Sequence, residues 1–194
     1  MEVAKPVGDQ RTKSSQRAYE RLVRTAYHEA GHAVVGHLVN RRLKTLTIVA
    51  QADTLGHCVH HSPWKRLNPE FDSGLRTEVK IGEEITVLYA GMLAEKKVSG
   101  RYNRIGADSD LRIVSELTDY VAGQESGERR AYQRWLKFRT KRLLQLPPNW
   151  LLVESVAEAL LKEKTLSMKR FIQVIRHAMD KKYGKLTGIF ATEI

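Results

Sequence analysis

Apolar residues recur at helical spacing along most of this chain, with one stretch that alternates instead. A first helix is predicted from a start between Arg17 and Arg24 to about Asn40, buried through Ala33, Val34, Val35, Leu38 and Val39. From Lys44 to Ala50 the period drops to two, with Leu46 and Ile48 on one side and Thr45, Thr47 and Val49 on the other, which is a strand. Turn chemistry at Gln51 to Thr54 lets Gly56 to His60 return as the second strand of a hairpin. Ser62 to Ser73, with Pro63 and Pro69, reads as a loop. A long helix follows from about Leu75 to Val98, its inward stripe formed by Ile81, Ile85, Leu88 and Met92. After a Gly-punctuated loop, Asp108 or Ser109 can cap a helix carrying Leu111, Val114, Leu117 and Val121.

The rest reads as packing helices. Glu128 to Leu146 ends at Pro147-Pro148, Leu151 to Lys162 continues, and Ser167 to Lys181 closes. Residues 1–18 are polar and offer nothing to bury, so they read as a flexible basic lead-in, and 183–194 as an unassigned tail. The expected architecture is mainly α with a small β-hairpin. It is one domain over 19–182, its chemistry-bearing part at about 19–122 and its C-terminal helices at about 126–182.

Composition narrows the function classes. With 194 residues and 42% hydrophobic content the chain can bury a sizeable core. One cysteine, Cys58, excludes an intrachain disulfide and a Cys-rich zinc ribbon, and favours a reducing, cytoplasmic setting. No run approaches the length of a membrane span, and no apolar stretch near the N-terminus resembles a signal peptide. The formal charge of +11 favours acidic partners. Its cations are spread without aromatic interleaving, so a solvated basic face is the better reading and a nucleic-acid site is not expected.

The candidate chemistry sits on the first helix, at His28-Glu29-Ala30-Gly31-His32. At about 100° per residue, His28 and His32 lie about 40° apart, so two imidazoles one turn apart can reach one ion. Glu29 falls beside them, where a general base stands in His-Glu-x-x-His zinc peptidases. The bland alternative is a core helix whose histidines are merely satisfied. Burying two imidazoles and a carboxylate without partners is costly, however, and a metal supplies the partner. His37 lies off that face. Strand alternation separates His57 and His61 from Cys58 and His60, which argues against a second metal site there.

Two carboxylates further along bear on the site. Asp110 shares the inward side with Val114 and Leu117, which makes it the third ligand a catalytic zinc needs or, equally by spacing, a first-turn acid at a helix dipole. Glu95 continues the stripe of the long helix. It either bonds to a ligand histidine from behind or reaches solvent at the helix end.

Several segments together resemble the peptidase domain of FtsH-type membrane proteases, zinc peptidases fused to an AAA+ ATPase. Ala26 to Ala33 is similar to that family's zinc helix, and Thr54-Leu55-Gly56 to the Leu-Gly after its first strand. Leu88 to Glu95 is similar to its Leu-Ala-Gly-x-x-Ala-Glu helix, Gly106 to Leu111 to the Gly-Ala-x-x-Asp-Leu bearing its third ligand, and Leu160 to Leu166 to its Leu-Leu-x-x-Glu-Thr-Leu. The resemblance covers roughly residues 20 to 180. It implies a helical zinc-peptidase domain with zinc on His28, His32 and Asp110 and Glu29 as the base. The implied function is zinc-dependent endopeptidase action on unfolded or flexible polypeptides, and the rival is an inactive adaptor of the same fold.

The chain departs from the family in places. His37, not Lys, follows the Gly31 to Gly36 spacing, so no phosphate loop is present, and the expectation is a stand-alone domain without ATPase or membrane helices. A homo-oligomer or a separate ATPase is the implied partner. The strand from Thr45 to Ala50 is expected to offer an edge to an extended substrate.

Overall fold

Helix α1 spans Gly8–Leu38 in the computed structural model, which describes residues 8–50, 55–64, 68–123 and 125–184. The segment expected as a lead-in up to Ala18 is therefore helical from Gly8, and residues 13–20 stand in solvent. Its Lys, Arg, Gln and Ala are good helix formers, so a turn nucleated by the buried half propagates backwards without burying anything. The proposed turn at 51–54 and the tail from 185 onward lie outside the described residues.

Strands β1 (Leu43–Thr47) and β2 (His57–His60) pair antiparallel, with Leu46 opposite Cys58. A third strand, β3 (Thr165–Ser167), pairs with the other edge of β1 and sets Leu166 opposite Leu46. The sheet order is β2-β1-β3, so the expected hairpin is two strands of a three-stranded sheet. This corrects the expectation that the Thr45 to Ala50 strand offers an edge to substrate. Both sides of β1 are occupied, and the sides left open among the described strands are the outer ones of β2 and β3, of which β2 contributes His57 and Cys58 to the cavity described below.

Helix α2 (Leu75–Ser99) passes through the middle of the molecule. Every residue from Ile85 to Met92 is buried, which a single inward stripe does not produce. The reason is that α2 has neighbours on opposite sides. α1, α5 (Pro147–Glu163), α6 (Met168–Tyr183) and the sheet close one core around Val34, Leu46, Val153, Leu160, Leu166 and Phe171. α3 (Arg104–Thr118) and α4 (Ser126–Gln145) close a second around Ile81, Ile85, Met92, Val114 and Leu136. Small residues bring α1 and α2 together: a methyl group on Gly31 would stand 2.6 Å from the Ala90 carbonyl oxygen.

Two helix starts differ from expectation. α3 begins at Arg104, so Asp108 and Ser109 lie inside it rather than capping it, and the Asn103 carbonyl accepts the Ala107 N–H at 3.0 Å. α5 begins at Pro147, because proline in a first helical turn gives up only an N–H that has no partner there. No described helix is long and apolar enough to cross a membrane.

Candidate metal centre

One turn of α1 puts the His28 and His32 rings edge to face, with their Nε2 atoms 3.0 Å apart. Each ring has an acceptor behind it. His32 Nδ1 lies 2.8 Å from the Val87 carbonyl oxygen of α2, and His28 Nδ1 lies 3.5 Å from Glu95 Oε2. A carbonyl can only accept, so Nδ1 of His32 carries the proton and its Nε2 presents a lone pair inward. Glu95 orients His28 in the same sense.

Asp110, on the first turns of α3, completes the group. Its Oδ2 lies 3.4 Å from His28 Nε2 and 3.3 Å from His32 Nε2. That oxygen is buried and makes no well-formed hydrogen bond. Metal–nitrogen and metal–oxygen bonds of about 2.0–2.1 Å in a tetrahedron put ligand atoms about 3.3 Å apart. The three observed separations, 3.0, 3.3 and 3.4 Å, are therefore those of one face of a tetrahedral site. Among the described residues this is the only cluster of three or more His, Cys, Asp or Glu side chains with ligand spacing.

Electrostatics point the same way. Burial works against a charged His28, but its contacts with Asp110 and Glu95 and the charge of Glu29 outweigh it and push the imidazole up to about 10. Burial also opposes ionisation of Asp110, yet the two histidines hold its carboxyl well below the usual range. Such a trio calls for a positive charge at its centre, and without a metal ion a proton on His28 takes that place.

Glu29 is 6% exposed, and burial raises its carboxyl against the lowering influence of His32 and His28. It lines the same cavity of about 610 Å³ as the two histidines and Asp110, to which Gly56 and, from β2, His57 and Cys58 also contribute. His57 thus reaches the site. His60 turns away and packs over Gly36, while His37 meets Phe171 edge to face with ring centres 5.9 Å apart.

Two contributors had no signal in hydrophobic spacing. Gly91 of α2 leaves the room the imidazoles occupy: a methyl group there would come within 2.3 Å of His32 Nε2 and 2.8 Å of His28 Nε2. Asn103 donates its backbone N–H to Glu95 Oε1 at 3.1 Å, so the carboxylate behind His28 is held from its far side. Gly91 stands inside the Leu88 to Glu95 motif, but nothing in the spacing says what faces it.

Residues 16–123, more than half of the chain, match the sequence profile of peptidase family M41. The ATP-dependent zinc metalloprotease FtsH of Haemophilus influenzae is 33% identical over 103 residues, covering 52% of this chain and 15% of that protein. FtsH 2 of Thermoanaerobacter sp. is 30% identical over 95 residues, 47% and 17% of the two chains. FtsH 2 of Sphaerobacter thermophilus is 31% identical over 121 residues, 60% and 17%. The matched stretch thus spans 15–17% of the length of these three relatives. Residues 16–123 contain the paired histidines, the acid between them, Glu95 and Asp110, and on that profile match the chain belongs to peptidase family M41.

Proposed function

We infer that this chain is a zinc-dependent endopeptidase acting on unfolded or flexible polypeptides. The observation that carries the reading is the triangle of His28 Nε2, His32 Nε2 and Asp110 Oδ2, with buried Glu29 in the same cavity. The three side chains would hold zinc and leave its fourth position open to the cavity. When bound, zinc supplies Lewis-acid polarisation of the scissile carbonyl and acidifies water beside it.

The remaining steps belong to the chain's own groups. Glu29 takes a proton from the attacking water on a carboxylate oxygen and returns it to the leaving amide nitrogen. Burial raises its proton affinity, as a group that must both accept and donate near neutral pH requires. Glu95 keeps the His28 ring turned toward the site. The open edge of β2 offers backbone groups to an extended substrate, and only a chain whose own backbone is unpaired can use them. The relatives are ATP-dependent by name, so an ATPase that delivers unfolded chains is the natural partner, and the lone thiol suits a cytoplasmic setting.

Casein hydrolysis by Glu29→Gln protein tests the mechanism. Turnover should fall by about 10²-fold or more with zinc content unchanged. Wild-type cleavage rates in that variant would remove Glu29 from the reaction. A wild type that holds zinc yet turns over no unfolded substrate would favour the adaptor instead.

A further inference from the structure

A second cavity, of about 450 Å³, opens between the C-terminal half of α2 and α4. It lies behind the metal centre, because Leu93 and Lys97 sit about 200° round α2 from Gly91 and Glu95. Leu93, Phe138 and Leu144 give it an apolar lining, and Phe138 is 65% exposed at its lip. Lys96, Arg134, Lys137 and Lys141 stand round that lining, and no carboxylate joins them. Among the described residues none of these four is paired with an acid. Lys97 Nζ donates to the Leu144 carbonyl at 2.9 Å and lies 3.7 Å over the Trp150 ring, while Lys137 Nζ lies 5.7 Å from the centre of the Tyr89 ring.

Helix α4 carries seven Lys and Arg against the single acid Glu128. Like charges gathered round a low-dielectric floor repel one another, and an anion seated among them relieves that repulsion. The shape narrows what kind of anion fits. The volume lies in the range of small-ligand sites, about 300–1,000 Å³. Both walls are helices, and the Leu144 carbonyl in the last turn of α4 is already taken by Lys97, so an extended peptide finds no strand edge to pair with. A nucleic acid would meet an apolar hollow where it needs exposed stacking faces along a phosphate track.

We propose that this groove binds a single-chain anionic amphiphile, a free long-chain carboxylate, with its tail against Leu93, Phe138 and Leu144 and its head among Arg134, Lys137 and Lys141. The site is separate from the metal centre and does not depend on peptidase activity.

Calorimetric titration of the whole chain with laurate tests this, with dodecyl maltoside as an uncharged amphiphile and inorganic phosphate as a charge without a tail. Saturable one-to-one binding of laurate is expected, alike in wild type and in His28→Ala, with neither control binding comparably. Reversing the rim in Lys137→Glu/Lys141→Glu should weaken laurate by about tenfold or more, the worth of one charge-assisted hydrogen bond. Phe138→Ser, at an exposed position that leaves the fold intact, should weaken it as well. The proposal fails if laurate gives no saturable heat, if dodecyl maltoside binds as tightly, or if the rim variant matches wild type. It also fails if binding disappears in His28→Ala, which would place the carboxylate on the metal centre, or if only polyglutamate or anionic vesicles bind.

Discussion

Glu95 and His28 meet across the α1–α2 interface, Oε2 3.5 Å from Nδ1, while the other carboxylate oxygen accepts the Asn103 N–H at 3.1 Å. The acid is 4% exposed and so has almost no solvent to turn to. Its position fixes which imidazole nitrogen faces the cavity. Glu95→Gln should keep the fold and lower zinc affinity by about 10- to 100-fold, measured by competition with a chromogenic chelator. An unchanged affinity would leave this carboxylate with a purely architectural part.

Gly91→Ala should be more damaging than its one added methyl group implies. The new carbon meets His32 Nε2 at 2.3 Å, so the ring must swing out of line. Loss of bound zinc is expected, with a stability cost of about 1–3 kcal/mol from overpacking. Metal analysis and thermal melting of the purified variant separate the two effects. Full zinc occupancy would mean that the helices part far enough to absorb the methyl.

Zinc should stabilise the fold, because the unfolded chain has no comparable site. At a free metal concentration of about 100 times Kd the gain is about 2.7 kcal/mol, seen as a rise in Tm that a chelator reverses. In Asp110→Ala protein that rise should largely vanish, since two imidazoles alone bind weakly. A full zinc response in this variant would require another third donor.

Acid should weaken the fold partly through His60. Burial lowers its imidazole to about 4, helped by the charges of Arg41 and His32, against 6.5 for an ordinary histidine. The unfolded chain therefore binds the proton more readily between these values. The stabilising contribution is complete above pH 6.5 and is lost as pH falls toward 4, by at most about 3 kcal/mol at 1.36 kcal/mol per pKa unit. Urea midpoints across that window should drop less steeply in His60→Asn than in wild type. Parallel curves would assign the acid sensitivity to other groups, His37 among them, which burial also lowers.

The sequence showed the two imidazoles plainly, since helical period alone sets His28 and His32 on one side of α1. It also placed Asp110 inward with Val114 and Leu117, without saying what it would meet. Other features left no trace in spacing. The burial of Ile85 to Met92 on all sides depends on neighbours drawn from both ends of the chain, and no local period reports them. β3 has three residues, too few to show alternation, and its partner strand lies more than a hundred positions earlier. The backward extension of α1 to Gly8 was hidden because a helix that buries nothing has no stripe to read.

The seating of Leu166 against Leu46 has a bearing on how this molecule can be cut. The family profile match ends at residue 123, yet both leucines are fully buried, and the Ile48 N–H donates to the Lys164 carbonyl at 2.9 Å. A fragment stopping at residue 123 would bare one flank of the central strand and the hydrophobic wall beneath it. It should collect in inclusion bodies rather than in the supernatant, for the described residues beyond that point, 125–184, serve as the keystone of the half that precedes them.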